Sequence, residues 1–512
     1  MAKHYDVVVL GASLGSLSAA ALLARRSWRV LVLGQGHRSP LYSFLGLPLA
    51  RRPFTFLAGR APIWKRILIE LTQSQTFRRQ VQQQEPRFQV IGPKLRASAL
   101  SDKELFAREI DREFPEVRRV VDELGEELVR ANEAIDIAFE QDVVWSPGTF
   151  WERRETARAA ASLPYANERA KDLLAEFPRG HAYRTLVDVP TAFASDSAKL
   201  PLVPRARIHD AWMRGAVGLV GGEEDLIEFL VERVRAHGGE VALGERASRL
   251  VVRGGRISAA LLDDDDELTG VQFVVTDLPS TSLLDLAVDY RPSRRALDAR
   301  PRTSVAAQRF VTSLLVREEG LPAPLASDAF LLPSTPGDPD RPPVHLQSWT
   351  PKGAVGMRLL VGEMFVPPPH AFDPAQRSRA RAHIVAEVER YLPYIERHYV
   401  LVDSPHDGLP AWDYRTGRRV LVERTELRAG GGTLDAEPMR PVFATESDEL
   451  GFGGEPTRFP PDGVFGVGPS VLPALGQEGE LLAAWGAARV ITRTDRRREK
   501  MRREMWSKVE LG

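Results

Sequence analysis

Gly11, Ser13, Gly15 and Ser16 are the residues whose types and spacing best suit a phosphate. They follow the apolar run Val7-Val8-Val9-Leu10 and precede an Ala- and Leu-rich stretch. A tight turn between a buried strand and a helix N-terminus aims several backbone N–H groups at one point, and anions bind there. The pattern Gly11-x-Ser13-x-x-Ser16 is a G-x-G-x-x-G turn with serine at its second and third glycines. A side chain at Ser13 intrudes where the backbone should approach a pyrophosphate, although its hydroxyl can donate to a phosphate oxygen. The acid expected about 20 residues further on, for a ribose, falls at Gly34. Other chemistry is sparse. The chain has no cysteine, which excludes disulfides, thiolate metal sites and a thiol nucleophile. His181, His209 and His345 lack partner spacing and read as structural, no metal site is expected, and no catalytic residue can be named.

The elements that must position this turn occupy residues 5–36, read as strand, turn, helix and strand. Continuous apolar strands are expected where a parallel sheet is covered on both faces. The chain's 512 residues allow two to four domains, and its 43% hydrophobic content supports a large core. Lys+Arg and Asp+Glu balance at 69 each, so charge gives no case for nucleic acid. No signal peptide or apolar run of about 20 residues is visible, and a cytoplasmic location is expected.

Along the chain, residues 41–71 are Pro- and Arg-rich, with an amphipathic helix expected over 63–71. That helix reads as a membrane-facing surface or, more plainly, as packing over the first sheet. Residues 87–100 suggest paired strands, and Ser101 with Glu104 a capping box. Helices are expected to about 114, over 115–139, over 157–177 and over 210–215. A helix over 223–237, strands at 240–243, 247–252 and 256–262, an acidic tip at 263–266 and a strand at 271–276 follow. The tip reads as a solvated turn because it lacks the spaced ligands of a calcium loop. Residues 292–440 alternate as half-buried strands with one helix over 374–390. A strand, a Gly/Pro loop and a helix over 481–493 close the fold. The basic tail at 493–508 offers a contact to an anionic membrane or a partner, against the plainer reading of a solvated helix.

Three blocks, residues 5–36, 218–279 and 463–489, resemble in order and spacing the phytoene-desaturase-like branch of FAD-dependent amine-oxidase-type flavoproteins. The resemblance implies an α/β fold: a Rossmann-like FAD-binding domain of glutathione-reductase or amine-oxidase type, assembled from three segments, plus an α+β substrate domain. The implied boundaries are 1–71, 206–291 and 441–492 for the first, 72–205 and 292–440 for the second, with a basic tail over 493–512. Gly11, Ala12, Ser13, Leu14, Gly15 and Ser16 match the pyrophosphate turn. Gly34 and Gln35 stand at the ribose position, and Ala247 matches the segment whose backbone meets the adenine. Gly468, Pro469 and Ser470 match the loop approaching the flavin, and Gln477 lies where the last helix aims at the isoalloxazine. The family's double glycine after the second strand is replaced by Ser39-Pro40-Leu41.

The resemblance implies an FAD-dependent oxidoreductase acting on an apolar, polyene or lipid-like small molecule; peripheral membrane contact is an expectation from the 63–71 helix and the basic tail alone. An alternative is a non-catalytic protein of the same fold that has lost flavin and serves as a binder or escort. A third is NADP, with Arg38 reading a 2′-phosphate. Oligomeric state is not indicated.

Overall fold

A computed structural model describes residues 4–165, 172–263, 269–293, 303–335, 338, 341–368, 373–423, 436–445 and 453–510. The first sheet is built around β1 (His4–Leu10). A twelve-residue helix, α1 (Leu14–Arg25), and a second strand, β2 (Val30–Leu33), complete the opening unit. β1 lies between β2 and the strand Thr269–Thr276, parallel to both, with Val8 facing Leu31 and Val274. Beyond β2 the parallel strand Glu240–Ala242 closes one edge. On the other side come the hairpin Ala247–Arg253/Arg256–Leu262 and the parallel strand Val464–Gly466. The sheet therefore draws on three separated stretches of chain.

Small residues let α1 sit deep in this layer. Ala19, Ala20 and Ala21 have no accessible surface, and the helix packs against the closing helix Gly476–Arg493. Arg26 at its C-terminus is also buried, and its guanidinium forms a two-point pair with Glu70 at 2.6 and 3.0 Å. That pair ties α1 to the helix Pro62–Glu70, whose Trp64 and Ile67 are fully buried. The packing reading of residues 63–71 therefore holds. Each such side chain contributes roughly 1.5–3 kcal/mol by leaving water.

The second sheet has ten strands and turns on one long strand, Thr303–Arg317. It pairs antiparallel with Met357–Val366, Tyr399–Asp403 and Arg440–Thr445. The hairpin Phe88–Gly92/Leu95–Ala99 joins the far edge in parallel with Asp328–Leu331. The helix Pro374–Tyr391 covers one face through Ile384 and Val388. Between the sheets in sequence lies a helical block, including Lys103–Glu113, Arg118–Phe139, Ala182–Ala194 and Leu202–Arg214.

Several local expectations need correction. Asp102, not Ser101, caps its helix, accepting from the Glu104 and Leu105 N–H groups at 2.9 Å; its carboxylate reaches both donors without needing Glu104 in return. The helix expected over 157–177 instead starts at Phe150, where Thr149 and Glu152 form a capping box, and ends at Ala160. The closing helix starts at Gly476, five residues earlier than expected, after a short turn at Pro473–Leu475. Most of the acidic tip at 263–266 lies outside the described residues. The tail forms a helix, Arg496–Glu510, that is docked: Arg498 lies 3.8 Å from the Trp28 ring centroid and Arg502 is bonded to Asp142 at 3.0 Å.

Candidate functional site

The turn after β1 leads into the N-terminus of α1, and two of its N–H donors are already engaged. Ser13 caps α1, its hydroxyl accepting from the Ser16 N–H at 3.2 Å. The Ser13 N–H donates to Asp277 Oδ2 at 2.9 Å. The Gly15 N–H donates to Glu480 Oε2 at 3.2 Å. Asp277 follows the strand beside β1 and its own N–H bonds to Leu10 O at 3.1 Å, so the backbone ladder delivers its carboxylate onto the turn. Glu480 arrives from the second turn of the closing helix, which starts at Gly476.

Glycine at position 11 serves this arrangement. Gly11 has φ +111°, and a Cβ there would lie 1.9 Å from Asp277 Oδ1. The space that a phosphate would need beside Gly11 holds a carboxylate. Gly15 and Gly468 seal the turn from behind: a Cβ on Gly15 would meet Val467 O at 2.1 Å, and one on Gly468 would meet Asp277 O at 2.2 Å. Ala12 is buried, while Leu14 and Pro469 are half-buried. Ser470 is buried with its hydroxyl unpaired.

Both acids are shifted. Burial raises the Asp277 carboxyl, against the lowering effect of its bonds to Ser13. Burial first, then the nearby Asp196, pushes Glu480 up to about 7, although the Gly15 N–H opposes this. These groups play toward α1 the part that an anion plays at a helix N-terminus.

The far end of the groove is closed in the same way. The Gln35 carboxamide makes a paired contact with Ala247, donating from Nε2 to its carbonyl and accepting at Oε1 from its N–H, both at 2.9 Å. Those are the two backbone groups that the resemblance assigns to an adenine. At Gly34 no acid fits, since a Cβ would lie 1.9 Å from Leu243 O. Gln477 does not face the turn. It accepts from the Leu57 and Ala58 N–H groups at 3.0 and 3.3 Å and donates to Thr55 O, fixing the segment before the helix Pro62–Glu70. Arg38, the candidate 2′-phosphate reader, is paired with Glu437 at 3.0 Å. The residues present therefore do not fit an FAD laid along this turn: its phosphates find the Ser13 and Gly15 N–H groups taken, and its adenine finds Ala247 taken.

Two cavities open near the closed turn, and they share Arg309, Glu363 and Arg440. The first has apolar walls from Phe54, Leu57, Phe193, Trp212 and Leu475. Arg309 is buried and donates to Glu363 at 2.7 Å and to the carbonyls of Phe193 and Ser195. Arg440 meets Asp196 only at 3.5 Å. Arg207 lies 2.6 and 2.7 Å from the Glu478 carboxylate and 2.6 Å from Asp136, and so holds the closing helix to the helical block. Asp210, on the same wall, is pushed up to about 6 by burial despite Arg214 and Arg207.

The histidines behave as structural groups. His181 caps its helix, its Nδ1 accepting from the Tyr183 N–H at 3.1 Å. His345 bonds to Asp328 and stacks on Phe330 at 4.8 Å. Burial lowers His209 to about 4. Sequence reasoning missed Asp277, Glu480, Arg309 and Arg440. The available signals were an acid directly after the buried run Val271–Thr276 and the acids that open the closing helix.

No family model matches the chain and no curated protein matches its sequence. Solved structures do match its fold. An oxidoreductase from Methanosarcina mazei aligns at TM-score 0.57 and 15% identity, over 95% of this chain and 99% of that one. Cyclohexylamine oxidase from Brevibacterium oxydans aligns at 0.53 and 16%, over 98% and 100%. A putrescine oxidase double mutant aligns at 0.53 and 15%, over 96% and 99%. The fold is the one shared by these oxidoreductase and amine oxidase structures, and the likeness extends over nearly the whole chain. Among the described residues no helix is long and apolar enough to cross a membrane.

Proposed function

We propose that this chain is a flavin-free binding protein on an oxidoreductase fold, and that the cavity walled by Phe54, Phe193 and Trp212 takes an apolar small molecule. The observation that carries the reading is a pair of carboxylates, half-buried Asp277 and buried Glu480, bonded to the Ser13 and Gly15 N–H groups. A pyrophosphate brought to those donors would have to displace two acids and stand beside them, and whatever charge they carry in that site repels it. The Gln35–Ala247 pairing supports the same reading from the adenine end. Phe54, Phe193 and Trp212 supply the apolar wall, and Arg309 and Arg440 a polar end that orients a bound molecule.

The second reading is an FAD-dependent oxidoreductase of desaturase or dehydrogenase type on an apolar substrate. Its support is the full-length fold likeness to an oxidoreductase and two amine oxidases. In that case FAD would supply the hydride chemistry. The residues on the page would bind the substrate in the apolar cavity, exclude water and orient it through Arg309 and Arg440.

One measurement separates the two. The absorbance of native protein, and of the supernatant after denaturation, reports bound flavin directly. The binding-protein reading expects no flavin bands and no saturable change on adding FAD. Stoichiometric FAD in native protein would overturn it.

A further inference from the structure

The helix Phe150–Ala160 turns an aromatic and cationic face to solvent. Phe150 and Trp151 are 71% and 67% exposed, and their rings meet edge-on at 5.5 Å. They are not on a frayed end. The Glu152 carboxylate accepts from the Gly148 and Thr149 N–H groups at 3.0 and 3.1 Å, and the Thr149 hydroxyl accepts from the Glu152 N–H. This capping box fixes the first turn, so both rings are held outward.

Charge on the helix is sorted by side. Its acids face the protein: Glu152 is buried and bonded to Arg458 at 2.7 Å, and Glu155 accepts from Arg489 at 3.0 Å. Arg153, Arg154 and Arg158 face outward, exposed and without an ion pair among the described residues. Thr156 anchors the inner side to Val144 O at 2.7 Å. An ordinary solvated helix interleaves both signs on its outer face. Here that face carries two large aromatic rings and three unpaired cations.

We propose that this face docks on an anionic phospholipid bilayer. Phe150 and Trp151 enter the boundary between headgroups and acyl chains, where amphipathic aromatic rings are favoured, and the arginines lie at the phosphate layer. The single sign of the charge matches a surface of many phosphates. The inference concerns a surface apart from the turn and the cavities, and it holds whether or not flavin binds.

The test is co-sedimentation of the full chain with vesicles of phosphatidylcholine alone and of phosphatidylcholine mixed with phosphatidylserine. Binding to the mixed vesicles, weakening as salt rises, is expected. Phe150→Ser with Trp151→Ser should weaken it by about ten-fold or more. Each of Arg153→Gln, Arg154→Gln and Arg158→Gln should weaken it by about five-fold. All five positions are exposed, and unchanged melting temperatures check that the fold is kept. Three results would overturn the proposal: no sedimentation with mixed vesicles, equal binding to both vesicle types, or binding unaffected by the double aromatic change. Self-association of the protein that the aromatic change abolishes, without vesicle binding, would overturn it in favour of a protein contact.

Discussion

Replacing Glu480 by glutamine keeps an acceptor for the Gly15 N–H and removes the ionisation. Glu480 is buried, and its carboxyl is raised from 4.5 to about 7. The folded state therefore holds a proton that the unfolded chain releases between those values. A group raised in this way contributes its stability fully below about pH 4.5 and loses it as pH rises through about 7. At roughly 1.4 kcal/mol per pH unit, the gap corresponds to about 3 kcal/mol once both states are ionised. The glutamine variant resembles the protonated acid at every pH. Its stability should match that of the parent near pH 4.5 and exceed it by about 3 kcal/mol above pH 8. With an unfolding entropy of about 2 cal/mol/K per residue, that is about 3 °C in Tm if the whole chain melts together. It rises to about 7 °C if a unit of roughly 200 residues melts alone. The assay is a pair of thermal melts across pH 5 to 9, read as the difference between variant and parent. A difference that does not change with pH, or a glutamine variant less stable at pH 8, would refute the reasoning. The second result would mean that the ionised carboxylate is needed as a counter-charge for the α1 N-terminus.

Asp277→Gly clears the carboxylate from beside Gly11 and frees the Ser13 N–H; FAD titration followed by flavin fluorescence should show saturable binding that the parent lacks, and its absence would mean that Gln35 and Glu480 alone suffice to close the groove. Gly34→Ala places a methyl 1.9 Å from Leu243 O and should cost about 1–3 kcal/mol, measured as a lower Tm with unchanged secondary structure by circular dichroism. Arg207→Met leaves Glu478 buried without its bidentate partner and should cost about 3–5 kcal/mol, seen as a drop in Tm or in soluble yield.

The sheet was legible because its strands are continuous apolar runs and its turns carry glycine. Val7 to Leu10 and Val30 to Leu33 have no other stable home than a doubly covered sheet. The site was legible only as a set of positions. Ser13 and Gly34 could be singled out as departures from a pattern, but what fills the space they leave depends on residues more than 200 positions away. Asp277 reaches Ser13 across 264 residues and Glu480 reaches Gly15 across 465. Helix ends were misjudged where a competing cap existed: Asp102 beside Ser101, and Thr149 with Glu152 ahead of the expected start.

The substitutions form one pattern once the contacts are known. Losing a glycine or an acid from a dinucleotide site weakens binding by a few kcal/mol at most and leaves the backbone donors pointing at empty space. Buried donors without partners are costly, so a fold that drops its ligand gains by supplying replacements. Carboxylates meet the amides that would hold phosphates, and a carboxamide meets the amide pair that would hold a purine edge. Gly34 then has a positive reason to be glycine, because Leu243 closes over it. On the binding-protein reading these hydrogen bonds stand in for the ligand, and for that reason the spectrum of the native protein and the pH dependence of the Glu480→Gln variant bear on the same physical question.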